Sequence, residues 1–451
     1  MIATRNRPSS GYRGGRQAGF SLLELMIALA LATLVILGVS RFFDSAQTVF
    51  VGQLNVAEMQ QAARGSLRDV QRYVRMLGRG GFPASDETRP LPDGLAVSVF
   101  NNVVADTKIL TGSTSALVPR VAEGSDVLVV RGVFASPIYQ INHTDTATLQ
   151  QLDDDERQGD VILTSTTPTS VPQDLSVLID IVEQSQEDGA DPIREALLLI
   201  SPLDPGIYGV VELDPVNSDV SDPDRIRLRF RLSDPMDTSE DRYANDYDAL
   251  NPGGSFPLEL FESRVGFLGV LEEYRFYVRD DYEVPGDNTT PWAPRLSRAR
   301  VYPATEIPYR KDYDYLSRDV AARVLDLQVA LGFDSTLGDP GVTTTVEEDP
   351  SVFEIYESDT GKDDDWLFNS TEDDPTAKPW NDLDAGDDFP SLYFLRVTAL
   401  VKARQVDRGQ LARLIPSVED RSYTDDVLNS FEQRRYRRTL LQTVIDLRNL
   451  G

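Results

Sequence analysis

Cysteine is absent from all 451 residues, which removes disulfide staples, thiolate metal ligands and thiol nucleophiles at once. Histidine is nearly absent: the single one, His143, sits in the polar run Asn142-His143-Thr144-Asp145. No second ligand stands at a metal-site spacing, so it reads as a surface-loop residue. The GxSxG elbow, the Walker A loop, the HExxH helix and the GxGxxG turn are missing as well, and the chain reads as non-enzymatic. Positive charge is scarce: 44 Lys and Arg face 73 Asp and Glu, for a formal net charge of −29. That balance argues against a basic nucleic-acid face and for solubility and repulsion from anionic lipid. At 41% apolar residues the chain is long enough for a substantial core.

One apolar run breaks this polar pattern. From Phe20 to Val39 the only ionisable side chain is Glu24, and twenty helical residues span about 30 Å, the thickness of a bilayer's hydrocarbon core. Ahead of it stand Arg5, Arg7, Arg13 and Arg16 with no acid, and positive charge beside a first apolar helix stays on the cytoplasmic side. The body from Arg41 onward is therefore expected to be exported. An unpaired charge at bilayer depth costs about 2.5–3.5 kcal/mol on translocon scales, so Glu24 calls for a use. A secretory signal would carry a small-residue cleavage site after the run. Here no Ala-x-Ala follows, and Gly19 stands before it.

Beyond the membrane-length stretch, Val56, Met59, Ala63, Leu67, Val70, Val74 and Leu77 recur at steps of three and four, with Arg64, Arg68, Asp69, Gln71 and Arg72 on other faces. Gly78, Gly80, Gly81 and Pro83 then stop the helix. One helix is expected over 20–77, about 87 Å long if straight, with Gly38, Gly52 and Gly65 as weak points. The remainder reads as strands. Ile226, Leu228, Phe230 and Leu232 alternate with Arg227, Arg229 and Arg231, the period-two pattern of a sheet with one wet face. Further strands are expected at 126–130, 196–200, 274–278, 323–331, 393–402 and 440–447, separated by Pro/Gly/Asp-rich connections at 214–224, 233–254 and 280–294. The predicted class is α+β: a long amino-terminal helix packed on largely antiparallel β-sheet with long acidic loops.

Residues 334–388 hold eighteen Asp and Glu against Lys362 and Lys378. Clustered carboxylates suit Ca²⁺, yet the EF-hand spacing is missing and charge-rich loops are more often simply solvated. Trp366, Phe368 and Trp380 inside the run suggest that part of it packs down. No cofactor is otherwise expected.

The stretch from Gly19 through Phe20 and Glu24 into the apolar run resembles the prepilin signal of type IV pilins and type II secretion pseudopilins. That resemblance implies cleavage by prepilin peptidase after Gly19, N-methylation of the new terminus Phe20, and retention of the helix as filament core. It also gives Glu24 a partner, the terminal amine of a neighbouring subunit. Many pilins carry a disulfide that this chain lacks. Later segments are similar to PilW-type minor pilins: Arg75-Met76-Leu77-Gly78-Arg79-Gly80-Gly81-Phe82 to the turn closing the first helix, 123–131 to the next strand, 324–334 to the central strand, and 396–404 and 437–449 to the closing strands. The implied organisation is a leader over 1–19, a transmembrane and filament-core helix over 20–40, an amphipathic continuation over 41–78, and a periplasmic body over 79–451. Within the body, insertions are expected near 141–310 and 334–390, the first resembling nothing in the family. The implied partners are prepilin peptidase, other minor pilins and the major pilin, a tip adhesin, the inner-membrane assembly platform and inner-membrane lipid, with no nucleic acid. The implied location is the inner membrane before assembly and the pilus tip afterwards. Two other readings share much of this pattern: a J-like minor pseudopilin of type II secretion, and a signal-anchored adhesin or binding protein that never polymerises.

Overall fold

The computed structural model describes residues 21–84, 94–104, 121–141, 149–153, 158–188, 195–201, 207–231, 247–254, 256–263, 265–284, 288–305, 309, 317–334, 365–368, 391–406, 411–419, 421–424 and 426–447. The fold is α+β, as the patterning predicts. Helix α1 (Leu22–Val74) runs uninterrupted through Gly38, Gly52 and Gly65. It ends where the sequence supplies residues tolerant of the left-handed region: Gly78, Gly80 and Gly81 all have positive φ. At Gly80 a Cβ would also come within 2.9 Å of Val133, so the turn is pressed close against the body.

The chain divides into two compact units, Met1–Val56 and Ala57–Gly451. In the first, every described residue from Ser21 to Phe50 is exposed. In the second, Met59, Ala63, Leu67, Val70, Val74 and Leu77 are buried as the periodicity requires, joined by Tyr73 and Ser66. Full burial of side chains of this kind contributes about 1.5–3 kcal/mol each. Two polar positions expected to face solvent are instead partly buried. Asp69 pairs with Arg298 at 2.9 Å, and the Gln71 amide donates to Thr443 Oγ1 at 2.7 Å.

Those contacts reach two sheets. The larger contains β1 (Val97–Phe100), β2 (Val127–Gly132), β3 (Tyr139–Gln140), β4 (Leu149–Asp153), β5 (Gln158–Thr164), β6 (Ala196–Ile200), β7 (Tyr208–Asp219), β8 (Arg225–Arg231), β9 (Phe267–Arg279), β10 (Arg295–Val301) and β11 (Ser317–Ala322). Its main path runs β1-β2-β9-β6-β7-β8-β5-β4; β10 and β3 also pair with β9, and β11 with β10. The smaller sheet has the order β13-β12-β14-β17, from β12 (Val324–Asp334), β13 (Asp365–Phe368), β14 (Ser391–Val406) and β17 (Tyr436–Asp446). A ribbon of β15 (Ser417–Val418) and β16 (Arg421–Ser422) covers part of it through Val418 and Tyr423, which pack with Leu325 and Leu400. All these pairings are antiparallel.

The strands expected at 126–130, 196–200 and 323–331 lie close to their expected bounds, whereas β9 begins at Phe267 and β17 at Tyr436, well before the expected 274 and 440, and β14 is longer at both ends. The connection expected at 214–224 is shorter, because β7 continues to Asp219. Helix α2 (Ser176–Asp188) lies where no helix is predicted; Leu178, Ile181 and Val182 form its buried stripe, with Leu175 buried just before it. The segment expected as an insertion, 141–310, supplies β9, the strand with most partners, so it is woven into the sheet. On β8 Ile226, Leu228 and Phe230 are buried as the alternation predicts, Leu232 lying outside the described residues, but the arginine face is paired. Arg229 bonds Asp160 at 2.9 and 3.1 Å, and Arg231 lies 2.5 Å from Asp214.

The two sheets are joined by a polar clamp just before β2. Asp126 N–H donates to Leu327 O at 2.8 Å, its carboxylate accepts from Val329 N–H at 2.7 Å, and Ser125 Oγ exchanges bonds with Leu327 N–H and O. On β12, Asp326 is held by Arg421 at 2.9 Å and by the Tyr423 hydroxyl.

Candidate functional site

The residues singled out from the sequence converge on the amino-terminal end of α1. Gly19 and Phe20 lie outside the described residues; Ser21 and Glu24 lie within them. Leu25 N–H donates to Ser21 O at 3.1 Å, which begins the helical ladder. Ser21 Oγ accepts from Leu23 N–H at 3.3 Å, while Glu24 Oε2 accepts from Ser21 N–H at 3.2 Å. These reciprocal bonds make a capping box that satisfies donors otherwise orphaned at a helix start. The sequence signal for it is the Ser-x-x-Glu spacing of Ser21-Leu22-Leu23-Glu24. The Glu24 carboxylate is thus turned back towards the start of the helix.

Behind this cap, the surface is apolar. Leu22, Leu23, Leu25, Met26, Leu29, Leu34, Val35 and Ile36 are each more than 60% exposed. The Thr33 hydroxyl returns its proton to Leu29 O at 2.7 Å and that of Thr48 to Asp44 O at 2.8 Å, which removes two polar donors from the helix surface. Helix α1 is the one described helix long and apolar enough to cross a membrane.

Several of the body's buried charges form ion pairs. Glu273, fully buried, receives Arg131 Nε at 2.6 Å, Arg275 at 2.7 Å and Ala304 N–H at 2.8 Å. Burial alone pushes its pKa up, but the two guanidiniums prevail and hold it below the usual carboxylate range. Arg131 also donates to Gly94 O and Leu95 O. Lys402 lies over the Trp292 ring at 4.4 Å and donates to Trp292 O at 2.7 Å. Burial, with Arg323 nearby, pushes its pKa down to about 8. A pocket of about 210 Å³ between α2 and the large sheet is lined by Arg300, Glu272, Tyr309, Asp180, Gln184 and Ser136, among others. Its guanidinium is engaged by Glu272 at 3.1 Å and Glu195 at 3.5 Å and lies 3.5 Å from the Tyr309 ring centroid.

His143 and nearly all of the acidic run lie outside the described residues; Asp334 and β13 take part in the backbone pairing of the smaller sheet. Among the described residues, no group of three or more His, Asp or Glu side chains could hold a metal ion.

Comparison with known proteins bears on this end of the chain. Residues 14–40 match the prokaryotic N-terminal methylation motif. The match spans Gly19, Phe20 and Glu24, the residues that carry the prepilin resemblance, so the chain has a pilin-type amino terminus. No curated protein sequence matches the chain. Among solved structures it is similar to the type IV-like pilin TTHA1219 from Thermus thermophilus, at 10% identity over 61% of this chain and 99% of that one, with a TM-score of 0.18.

Proposed function

We propose that this chain is a minor pilin of the PilW type, a non-enzymatic subunit of a type IV pilus. The observation that carries the reading is the methylation motif at 14–40 leading into an exposed apolar helix that ends in a β-rich body. In this reading prepilin peptidase cuts after Gly19 and methylates Phe20. The freed amine takes over the end of the helix that Glu24 now caps, and the Glu24 carboxylate pairs with the amine of an adjacent subunit. Such a charge pair offsets the cost of burying either group alone. The transmembrane half anchors the subunit in inner-membrane lipid beside the assembly platform. It then passes into the filament core with other minor pilins and the major pilin. A body of this size suits the tip, where a bulky subunit occurs once and can carry an adhesin. No cofactor is required, and any calcium would serve the acidic loops.

The test is Glu24→Ala beside Glu24→Gln, each scored for membrane insertion and for entry into sheared surface filaments. The reading predicts normal insertion and lost or mistimed filament entry in both, because neither substitute carries the charge. Unchanged entry into filaments would contradict it, and absence of the wild-type chain from filaments would favour an anchored, non-polymerising protein.

A further inference from the structure

We propose that the outer edge of β17 receives an extended, acid-ended segment of another protein by strand addition. This inference does not rest on the filament reading. Strand β17 is eleven residues long and ends the β13-β12-β14-β17 sheet. It pairs with β14 along one edge, and among the described residues no strand covers the other. Proteins usually blunt such edges with proline, lysine or a bulge. From Thr439 to Ile445 the sequence Thr-Leu-Leu-Gln-Thr-Val-Ile holds no proline, glycine or charge, and Leu440 and Val444 are 48% and 38% exposed.

The start of the same strand inverts the charge of the chain. Arg434, Arg435, Arg437 and Arg438 cluster there. The segment carrying Arg413 is tied alongside by Ala412 N–H to Arg434 O at 2.7 Å and by Arg438 to Arg413 O at 2.6 Å. Glu432 pairs with Arg435 at 3.4 Å, and Arg434 and Arg438 also donate to the carbonyls of Ala412 and Leu428. Crowding is felt within the cluster: burial and the charge of Arg434 hold the Arg438 guanidinium below its ordinary pKa. Phe431 and Leu414, 63% and 59% exposed, flank the arginines, and arginine beside exposed aromatic and aliphatic residues is the composition of an interface anchor. In a protein of net charge −29 this is a place where an acidic segment gains by approaching. Arginines among apolar side chains also suit anionic lipid. Lipid, however, leaves the strand's outward N–H and C=O groups unpaired, whereas an added strand satisfies them and seats alternate side chains against Leu440 and Val444.

The test uses the full chain in detergent micelles with three ten-residue peptides of alternating Thr and Val. Two carry a pair of glutamates, at the amino or the carboxyl end, and the third carries a pair of lysines. Phosphatidylglycerol vesicles form a fourth probe. One glutamate peptide is expected to bind in titration calorimetry and to slow amide exchange across 439–445. Arg435→Glu with Arg437→Glu should raise its Kd roughly tenfold with an unchanged circular-dichroism melt. Val444→Lys, a charge on the exposed face of the edge, should weaken binding independently if the double variant folds poorly. Equal binding of the lysine peptide, binding of vesicles but of no peptide, or peptide binding without slowed exchange in β17 would each overturn the proposal.

Discussion

Two stretches of one helix, written in similar apolar residues, meet opposite environments. Between Leu22 and Phe50 every side chain is exposed, whereas from Met59 to Val74 the stripe at steps of three and four is buried against two sheets. The difference lies in the opposite face. The second stretch carries Arg64, Arg68 and Arg72 away from the body, so one side has a reason to be wet. The first carries Leu, Ile, Val and Ala all round from Leu25 to Val39, and a helix apolar on every side needs lipid or other helices. Stability of the body and function of the anchor are thus carried by adjacent parts of one element, and substitutions should separate them.

The largest separation is expected from Val70→Asp. Val70 is fully buried, and an unpaired carboxylate there should cost the body about 3–5 kcal/mol, abolishing or sharply lowering its thermal transition. Leu31→Asp on the exposed stretch should leave that transition unchanged and impair membrane insertion. Equal effects on the melt would break the comparison.

Next in size is Arg131→Met, which leaves Glu273 buried with one guanidinium fewer, at about 3 kcal/mol. Because the folded carboxylate titrates below its unfolded value, its contribution is present above the unfolded pKa and lost as pH falls through the folded one. Denaturant melts of the wild type should weaken at acid pH more steeply than those of the variant.

A smaller and opposite trend is expected at alkaline pH. Lys402 titrates near 8 when folded against 10.5 when unfolded, so the unfolded chain binds more protons between these values. Stability should therefore rise from about pH 8 to 10, by up to ~2 kcal/mol. Above pH 10 the trend should reverse, because buried Tyr139, Tyr274 and Tyr423 keep their protons when folded and lose them when unfolded. In Lys402→Met the rise should vanish while the fall remains.

The smallest effect belongs to the exposed end. Ser21→Ala removes one half of the capping box, worth about 1 kcal/mol locally. Hydrogen exchange in the first turn of α1 should quicken while the body melt stays fixed.

Much of this architecture was legible in the sequence because it rests on local periodicity. The helix stop at Gly78–Gly81 and the alternation in β8 needed only spacing and glycine's freedom. Helix α2 was missed although Leu175, Leu178 and Val182 carry helical spacing, since its surroundings resembled no known segment. What no local pattern reveals is pairing at long range. Asp126 bonding across to Leu327 and Val329, Arg298 reaching Asp69, and the enclosure of Glu273 by Arg131 and Arg275 all join residues far apart in the chain. At the candidate site, Glu24 was legible as an unusual charge in an apolar run, while its bond to Ser21 N–H is signalled only by a Ser-x-x-Glu spacing.

The central claim, that the exposed stretch of α1 is processed and used in a filament, is tested most directly by intact mass and N-terminal sequencing of the protein from membranes and from sheared surface filaments. The account predicts a chain beginning at N-methylated Phe20 and present in the sheared fraction. A chain that keeps Met1, or one processed but confined to membranes, would contradict it.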